Sequence, residues 1–473
     1  MMKSFYCILV LLILAGSIES VKAQKKPGRK PNVILILADD LGYGDLSSFG
    51  QQQWSTPNID GLAAEGVKFT HFYTSTPYCA PSRASLLTGL YPVRHGLTTN
   101  PNPEKPTNSN QPTRGDTVGI AAEQVLLSEL FQNAGYATKI IGKWHLGHQP
   151  HFLPTRHGFD EYYGIPYSND MPPVVLLENE KLAEYPVVQA TLTQRYTQQA
   201  LQFIEQNKDK PFFLYLPHAM PHKPLVASEQ FYTPEIRGDL YADVLRELDW
   251  SIGEVLTKVS ALNLEQETII LFLSDNGPWF GGSTEGLRGM KSQNWEGGIR
   301  VPLLVQWKGH LSAGHISNEP AGTIDIFPTL VKLAGLSLPK DLQLDGTDIS
   351  SILYAKSKTP HDVLFSFHGE KFQTVRSGKW KLHLDTPEPS KRPAGEDWVD
   401  PRAPDGVTIL APFEQAKPAQ FPGVKTGVPA AADLLFDLEN DPSEQVNVAA
   451  QHPEVVKLLR KKAEAYMERW KRN

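Results

Sequence analysis

The stretch NVILILADDLGYGD, residues 32–45, begins with an unbroken β-rich apolar run from Val33 to Leu37 and then sets two acids, Asp39 and Asp40, side by side. A run with no polar alternation is the mark of a strand covered on both faces. The pattern returns at TIILFLSDNG, residues 268–277, where Ile269 to Leu273 lead into Asp275 and Asn276. Between them lie shorter apolar runs in YATKIIGKWHLG (136–147) and PFFLYLPH (211–218), separated by helix-like stretches such as Thr117–Ala134 and Tyr196–Asn207. This alternation predicts an α/β fold on a large mixed, mostly parallel sheet flanked by helices. In such sheets functional groups gather beyond the carboxyl ends of the strands, where these polar clusters fall.

Beyond about Pro360 the texture changes. LFSFHG and QTVRSGKWKLHL, with Ser377-Gly378 as a turn, read as short antiparallel strands, and Leu434–Leu438 offers another. Residues Thr386–Ala432 carry nine prolines and little periodicity, so they read as an irregular excursion rather than a core element. In the closing PEVVKLLRKKAEAYMERWKRN, Val455, Leu459, Tyr466 and Trp470 share one helical face. The opposite face is basic and could meet a membrane surface, but docking on the small sheet is the commoner use of such a helix. The expected organisation is a catalytic domain over residues 24–360 and a small α+β subdomain, an antiparallel sheet with a packed helix, over 361–473. No internal repeat is present.

The first residues, MMKSFYCILVLLILAGSIESVKAQ, place Lys3 before an apolar run from Phe5 to Gly16 and end on Val21-Lys22-Ala23. They read as a signal peptide, residues 1–23, cut before Gln24. The run is short of the roughly 20 apolar residues of a membrane-spanning helix. Cys7 stands at the front of the run, where a lipid-modified cysteine would follow it. Gln24–Pro31 is a basic tether into the fold. Loss of the leader removes two lysines and one glutamate, so a formal charge of −6 becomes −7. A mildly acidic chain with no basic stripe argues against nucleic acid as partner. The chain has only two cysteines, Cys7 and Cys79, so the exported protein can form no internal disulfide. Its stability must come from its core, which 473 residues with 40% hydrophobic content can supply.

Asp39, Asp40, Asp275 and Asn276 are hard oxygen donors delivered from the ends of two strands. They suit Ca2+ or Mg2+ better than zinc, which favours His or Cys. Either pair alone reads as a turn closing a strand; together, each behind a buried strand, they read as a cation site. Arg83, Lys143 and His145 in GKWHLG, His222 in PHKP and Lys291 in RGMKSQNWEGG are singly no more than surface charges or hydrogen-bonded histidines. Gathered around a divalent cation they would make a positive pocket for a tetrahedral anion, a sulfate or phosphate ester. Cys79, in TPYCAPSRASLLTG, precedes Pro81 at what reads as a helix start, an anion-friendly position. As a thiol it could be a Cys/His-type nucleophile, although thiolates suit acyl or disulfide chemistry better than a site built on a hard cation.

CAPSRASLLTG resembles the C-x-P-S-R-x-x-x-L-T-G signature of the type I, formylglycine-dependent sulfatases of the alkaline phosphatase superfamily. The likeness extends through LADDLGYGD, GKWHLG, GIPYSND, PHKP, SDNG, K-x-x-x-x-EGG-x-R-VP and LFDLENDPSEQVN, in order along nearly the whole chain. Within that family the sequence is most similar to the arylsulfatase A and N-acetylgalactosamine-6-sulfatase branch. The resemblance implies that Cys79 is oxidised to formylglycine (3-oxoalanine) by a formylglycine-generating or anaerobic sulfatase-maturating enzyme. It implies that Asp39, Asp40, Asp275 and Asn276, with the modified Cys79, hold Ca2+, Mg2+ being the alternative. Arg83 and Lys143 would hold the hydrated aldehyde, His145 would bond its second hydroxyl, and Ser168, His222 and Lys291 would bind sulfate. His222 is preferred to His218 by its His-x-Pro pattern. One hydroxyl of the diol would attack sulfur; the other would lose a proton to His145, expelling sulfate and restoring the aldehyde. His222 or Lys291 would protonate the leaving alkoxide.

The expected activity is hydrolysis of a sulfate ester, with a sulfated carbohydrate, a polysaccharide or glycosaminoglycan fragment, as substrate. A phosphate mono- or diesterase and a non-catalytic binder of anionic glycans are the alternatives. The expected setting is export to the periplasm, the medium or the cell surface, with no stable membrane insertion. Substrate choice is expected in Asn100–Gly115, Trp279–Gly286 and the proline-rich excursion.

Overall fold

The computed structural model describes residues 29–102, 118–171, 174–233, 240–389 and 421–471. The leader, most of the Asn100–Gly115 loop and most of the proline-rich excursion lie outside the described residues. Strand β1 (Asn32–Ala38) is buried along its whole length. Val33, Leu35 and Leu37 enter one hydrophobic core, and Ile34, Ile36 and Ala38 enter another on the opposite face. An unalternating sequence is what a strand needs when successive side chains point into two cores.

Helices cover both faces. On the first lie α2 (Cys79–Thr88), α3 (Leu127–Asn133) and α7 (Ile326–Leu333), contributing Ala84, Leu87, Phe131 and Phe327 to the core. On the second lie α1 (Pro57–Glu65), α4 (Leu192–Gln206) and α5 (Leu240–Ala261), contributing Leu62, Phe203, Leu248 and Ile252. The strands between them are β2 (Val67–Tyr73), β3 (Ala137–Ile141), β4 (Glu161–Gly164), β5 (Leu176–Glu178), β6 (Lys181–Glu184), β7 (Phe212–Pro217), β8 (Thr268–Ser274), β9 (Arg300–Gln306) and β10 (His315–Ser317). They run in the order β10-β2-β9-β8-β1-β7-β3-β4-β5-β6, with β11 (Ala321–Gly322) on β2.

The centre, β8-β1-β7-β3-β4, is parallel throughout, and antiparallel pairing is confined to the flanks. All five central strands therefore end on one edge. Ala38 lies opposite Ser274, so Asp39 and Asp275 leave the sheet as neighbours.

A second sheet, β12 (Leu364–His368), β13 (Lys371–Ser377), β14 (Trp380–His383) and β15 (Leu434–Asp437), is antiparallel in that order. Helix α8 (Pro453–Lys471) packs Val455, Leu459, Tyr466 and Trp470 onto this sheet's Phe365, Phe367 and Leu382 and onto Tyr91 from the larger part. The basic face is thus turned outward, as expected for a docked helix. Among the described residues no helix is long and apolar enough to cross a membrane.

Two helix expectations shift. Among the described residues of the stretch Thr117–Ala134, only the short α3 is helical. Gly119 is pressed against the Phe152 ring, the Ile120 N–H is used by the Leu146 carbonyl 2.8 Å away, and the Glu129 carboxylate folds back on the Leu126 N–H at 2.9 Å to start the helix there. Capping outweighs the upstream helical pattern. The Tyr196 helix instead starts one turn early, at Leu192.

Candidate metal and anion site

Chain geometry at the strand ends assembles the site. Gly142 follows β3 with φ +129°, and a Cβ there would fall 1.8 Å from the Pro217 carbonyl oxygen. Only glycine fits so close a backbone approach, and it lets Lys143 turn under the sheet edge. Asp40, His145 and Ser292 take left-handed φ values of 65°, 61° and 73°. Such strain in residues with side chains gathers where geometry is dictated by function.

All eleven candidate residues are buried. Donor atoms of Asp39, Asp40, Cys79 and His222 lie within 4.8 Å of one another. The Cys79 Sγ, at the first residue of α2, is 3.6 Å from Asp39 Oδ1 and 3.8 Å from Asp40 Oδ1. Lys291 Nζ donates to that sulfur at 3.1 Å and pairs with Asp40 Oδ1 at 2.7 Å. Arg83 donates through Nε to Asp275 Oδ2 at 2.9 Å and approaches Asp39 Oδ1 at 3.4 Å. Lys143 Nζ donates to Asp39 Oδ2 at 2.6 Å and to Ser168 Oγ at 3.1 Å. Ser168 Oγ is in turn 3.4 Å from His222 Nε2.

His145 joins less directly. Its backbone N–H donates to the Pro166 carbonyl at 2.9 Å, and its ring meets Tyr167 edge-on at 6.0 Å. His218 is elsewhere, on the α4–α5 side beside Ser251 and Tyr196, and burial lowers its pKa to about 3. The structure therefore brings His222, not His218, to the cluster.

Burial pushes the Cys79 thiol well above its ordinary pKa, against the pull of Lys143 and Lys291. It is a poor thiolate, which removes the support for a Cys/His-type nucleophile. Burial also raises the Asp275 carboxyl, aided by Asp39 and opposed by Arg83. For Lys291 burial works against the charge, but Asp40 above all holds the ammonium well above its usual range. Burial, then the charges of Lys143, Arg83 and Lys291, drives His145 far below its usual value, so its ring is neutral.

The residues fit a hard divalent cation. Asn276 donates through Nδ2 to Asp40 Oδ1 at 2.7 Å while its Oδ1 is buried without a hydrogen-bond partner. An amide oxygen left bare among carboxylates is costly, and rotating the amide would bring two oxygens together in an arrangement that a shared cation stabilises. The three carboxylates Asp39, Asp40 and Asp275 are matched by three cations, Arg83, Lys143 and Lys291. A divalent ion would therefore leave the pocket net positive, as an anionic ester requires.

His222 Nδ1 lies 2.5 Å from the Lys223 carbonyl and so must donate to it. Its Nε2 then faces Asp40 Oδ2 at 3.7 Å.

Several supporting residues escaped sequence reasoning. Asp45 accepts from Gly42 N–H and Ser283 N–H, each at 2.7 Å, and from Tyr241 Oη at 2.6 Å, tying the two acid-bearing loops together. Asn100 Oδ1 accepts the Ala80 N–H at 3.0 Å at the start of α2. Asp45 stands in the quoted acidic stretch, but the two partners through which it joins the loops, Tyr241 and Ser283, lie about two hundred residues away, so no local signal marks that role.

The family model described as Sulfatase matches residues 31–336, and that for the C-terminal region of aryl-sulfatase matches residues 359–473. The chain is 36% identical over 460 residues to N-acetylgalactosamine-6-sulfatase of Mus musculus, covering 92% of this chain and 85% of that one. It is 36% identical over 473 residues to arylsulfatase A of Homo sapiens, covering 91% and 87%. A solved Bacteroides thetaiotaomicron protein, described with the metabolism of multiple glycosaminoglycans, superposes with a TM-score of 0.74 at 29% identity over 93% of this chain and 99% of that one.

Proposed function

This chain belongs to the sulfatase family and is a sulfuric ester hydrolase, and on that premise we propose that it cleaves the sulfate ester of a sulfated carbohydrate at the cluster around Cys79. The observation that carries the reading is the contact of Lys291 Nζ with both Cys79 Sγ and Asp40, at 3.1 and 2.7 Å, inside a buried pocket whose fixed charges balance before any divalent ion is added. A protonated thiol there has no use as a thiol. Converted to formylglycine, Cys79 would supply a hydrated aldehyde whose hydroxyl attacks sulfur and whose second hydroxyl allows sulfate to leave without a further displacement at sulfur.

Asp39, Asp40, Asp275 and Asn276, with the modified Cys79, would hold Ca2+ or Mg2+, which supplies charge stabilisation for the sulfuryl oxygens. Arg83 and Lys143 hold the acids in place and offset charge at residue 79. Neutral His145 takes the proton from the second hydroxyl. Ser168, His222 and Lys291 bind the sulfate group, and His222 or Lys291 gives its proton to the departing oxygen, a transfer worth about 10² to 10⁴ in rate. The maturation enzyme, export behind a cleaved leader and a periplasmic, secreted or surface location belong to the same reading. So does the division at residue 360 between a catalytic domain and a small subdomain.

The test measures release of sulfate and of inorganic phosphate side by side from matched esters, using a panel of sulfated mono- and oligosaccharides. Faster release of sulfate is expected. Faster turnover of the phosphate ester would overturn the choice, and binding of the saccharides without turnover of either ester would make the protein a glycan binder.

A further inference from the structure

Lys291 sits on a loop between Arg288 and Glu296, and both ends of that loop are held by one residue of the small subdomain. The Glu444 carbonyl accepts from Arg288 Nη1 at 2.9 Å, and its carboxylate Oε2 accepts the backbone N–H of Glu296 at 2.6 Å. That N–H opens the short helix α6 (Glu296–Ile299) and would otherwise be an unsatisfied donor in a buried position. The loop closes on itself through the Gly297 N–H to the Arg288 carbonyl at 2.7 Å, and the Arg288 guanidinium stacks 3.7 Å over the Trp295 ring.

Glu444 is itself fixed from the small sheet. Its Oε1 accepts from His383 Nε2 at 2.7 Å and from Lys381 Nζ at 3.0 Å. Lys381 also reaches Glu296 Oε1 at 3.0 Å, and Glu296 Oε2 accepts from Tyr73 Oη at 2.8 Å. Glu444, His383, Lys381 and Glu296 are all fully or almost fully buried. A buried ionic network of this kind is a weak source of stability but a strong constraint on geometry. What it constrains is the loop whose apex carries Lys291 to Cys79 and Asp40.

We propose that Glu444 is a positioning residue for Lys291, so that the small subdomain sets the reach of a group in the sulfate pocket without touching substrate. This rests on the reading of Lys291 as a sulfate-binding or proton-donating residue. It accounts for two sequence features that the pocket itself leaves unused, the EGG after Lys291 and the Glu444 of LFDLENDPSEQVN.

The experiment is a double-mutant cycle on the full-length enzyme with an aryl sulfate as probe. Glu444→Gln should lower kcat/KM about tenfold or more when Lys291 is present, and by less than about twofold in a Lys291→Ala background, because contacts that act through one group do not add. The thermal midpoint should fall by the same amount in both backgrounds, since the network is the same in each. An equal fall of kcat/KM in the two backgrounds, or no fall in a folded Glu444→Gln enzyme, would overturn the assignment. If Glu444→Gln fails to fold, Arg288→Lys loosens the other end of the loop, leaves the Glu444 ion pairs intact and must give the same pattern. A Lys291→Ala enzyme with full activity would instead remove the reading of Lys291, and this assignment with it.

Discussion

The Cys79 sulfur lies between two acids and an ammonium, in a place where burial keeps a thiol protonated. Cys79→Ala is expected to abolish sulfate release while shifting the thermal midpoint by only a few degrees, since a small apolar residue suits a buried helix start; retained turnover would show that the residue is not the nucleophile. Asp275 faces two tasks, as a cation ligand and as the partner of Arg83 at 2.8 Å. Asp275→Asn keeps an acceptor for the guanidinium but removes one ligand charge. Titration calorimetry with Ca2+ should show affinity reduced roughly tenfold or more, with activity restored only at higher Ca2+. Affinity and activity unchanged would argue against the acid set as the cation site.

Much of this pocket was legible because its residues end strands whose apolar runs announce themselves. Asp39, Asp40, Asp275 and Asn276 follow continuous apolar stretches, and the parallel register of β1 and β8 makes them neighbours. What was not legible depends on contacts remote in sequence. Asp45 works through Tyr241 and Ser283, and Glu444 through the Glu296 backbone, and neither partner can be found from local pattern.

At the scale of elements, the turn after β3 and the docking of α8 make separate claims. Gly142→Ala would drive a Cβ into the Pro217 carbonyl, in a backbone conformation that alanine disfavours. Relief must come from moving the segment that carries Lys143 and His145. The variant should lose on the order of 1–3 kcal/mol of stability and most of its kcat; kcat equal to that of the parent enzyme would show that the turn does not position the pair. Leu459 is buried where α8 meets the small sheet, in a cluster that contains none of the pocket's residues. Leu459→Ala should cost about 2–5 kcal/mol in denaturant unfolding and leave Ca2+ affinity unaltered. The helix face was readable from its period, whereas the true start of α3 was not, because a side-chain cap and the crowding at Gly119 decide it.

For the whole molecule the buried histidines contribute an acid-sensitive part of the stability. Burial lowers His95 and His218 to about 3. His95 is held neutral in a definite tautomer, with Nδ1 accepting the Leu97 N–H at 3.2 Å and Nε2 facing Ser85 Oγ at 3.1 Å. Below pH 6.5 the unfolded chain binds protons at these sites and the folded chain does not until about pH 3. Stability is therefore present above the unfolded pKa and is lost as the pH falls, by about 1.4 kcal/mol per pH unit for each histidine. Burial raises the carboxyls of Asp45 and Glu247 to about 7, which contributes with the opposite sign in the same window. The histidine contribution is therefore read by difference: between pH 6.5 and 4, His218→Gln should lower the slope of unfolding free energy against pH by one histidine's share, and a slope unchanged by the substitution would contradict the assignment.

The most direct test of the central claim is the mass of the peptide containing Cys79, measured on a preparation whose sulfate-ester turnover is known. The account predicts a peptide lighter by the change from thiol to aldehyde, in a fraction that tracks specific activity from one preparation to the next. A fully active enzyme in which Cys79 is wholly unmodified would contradict it.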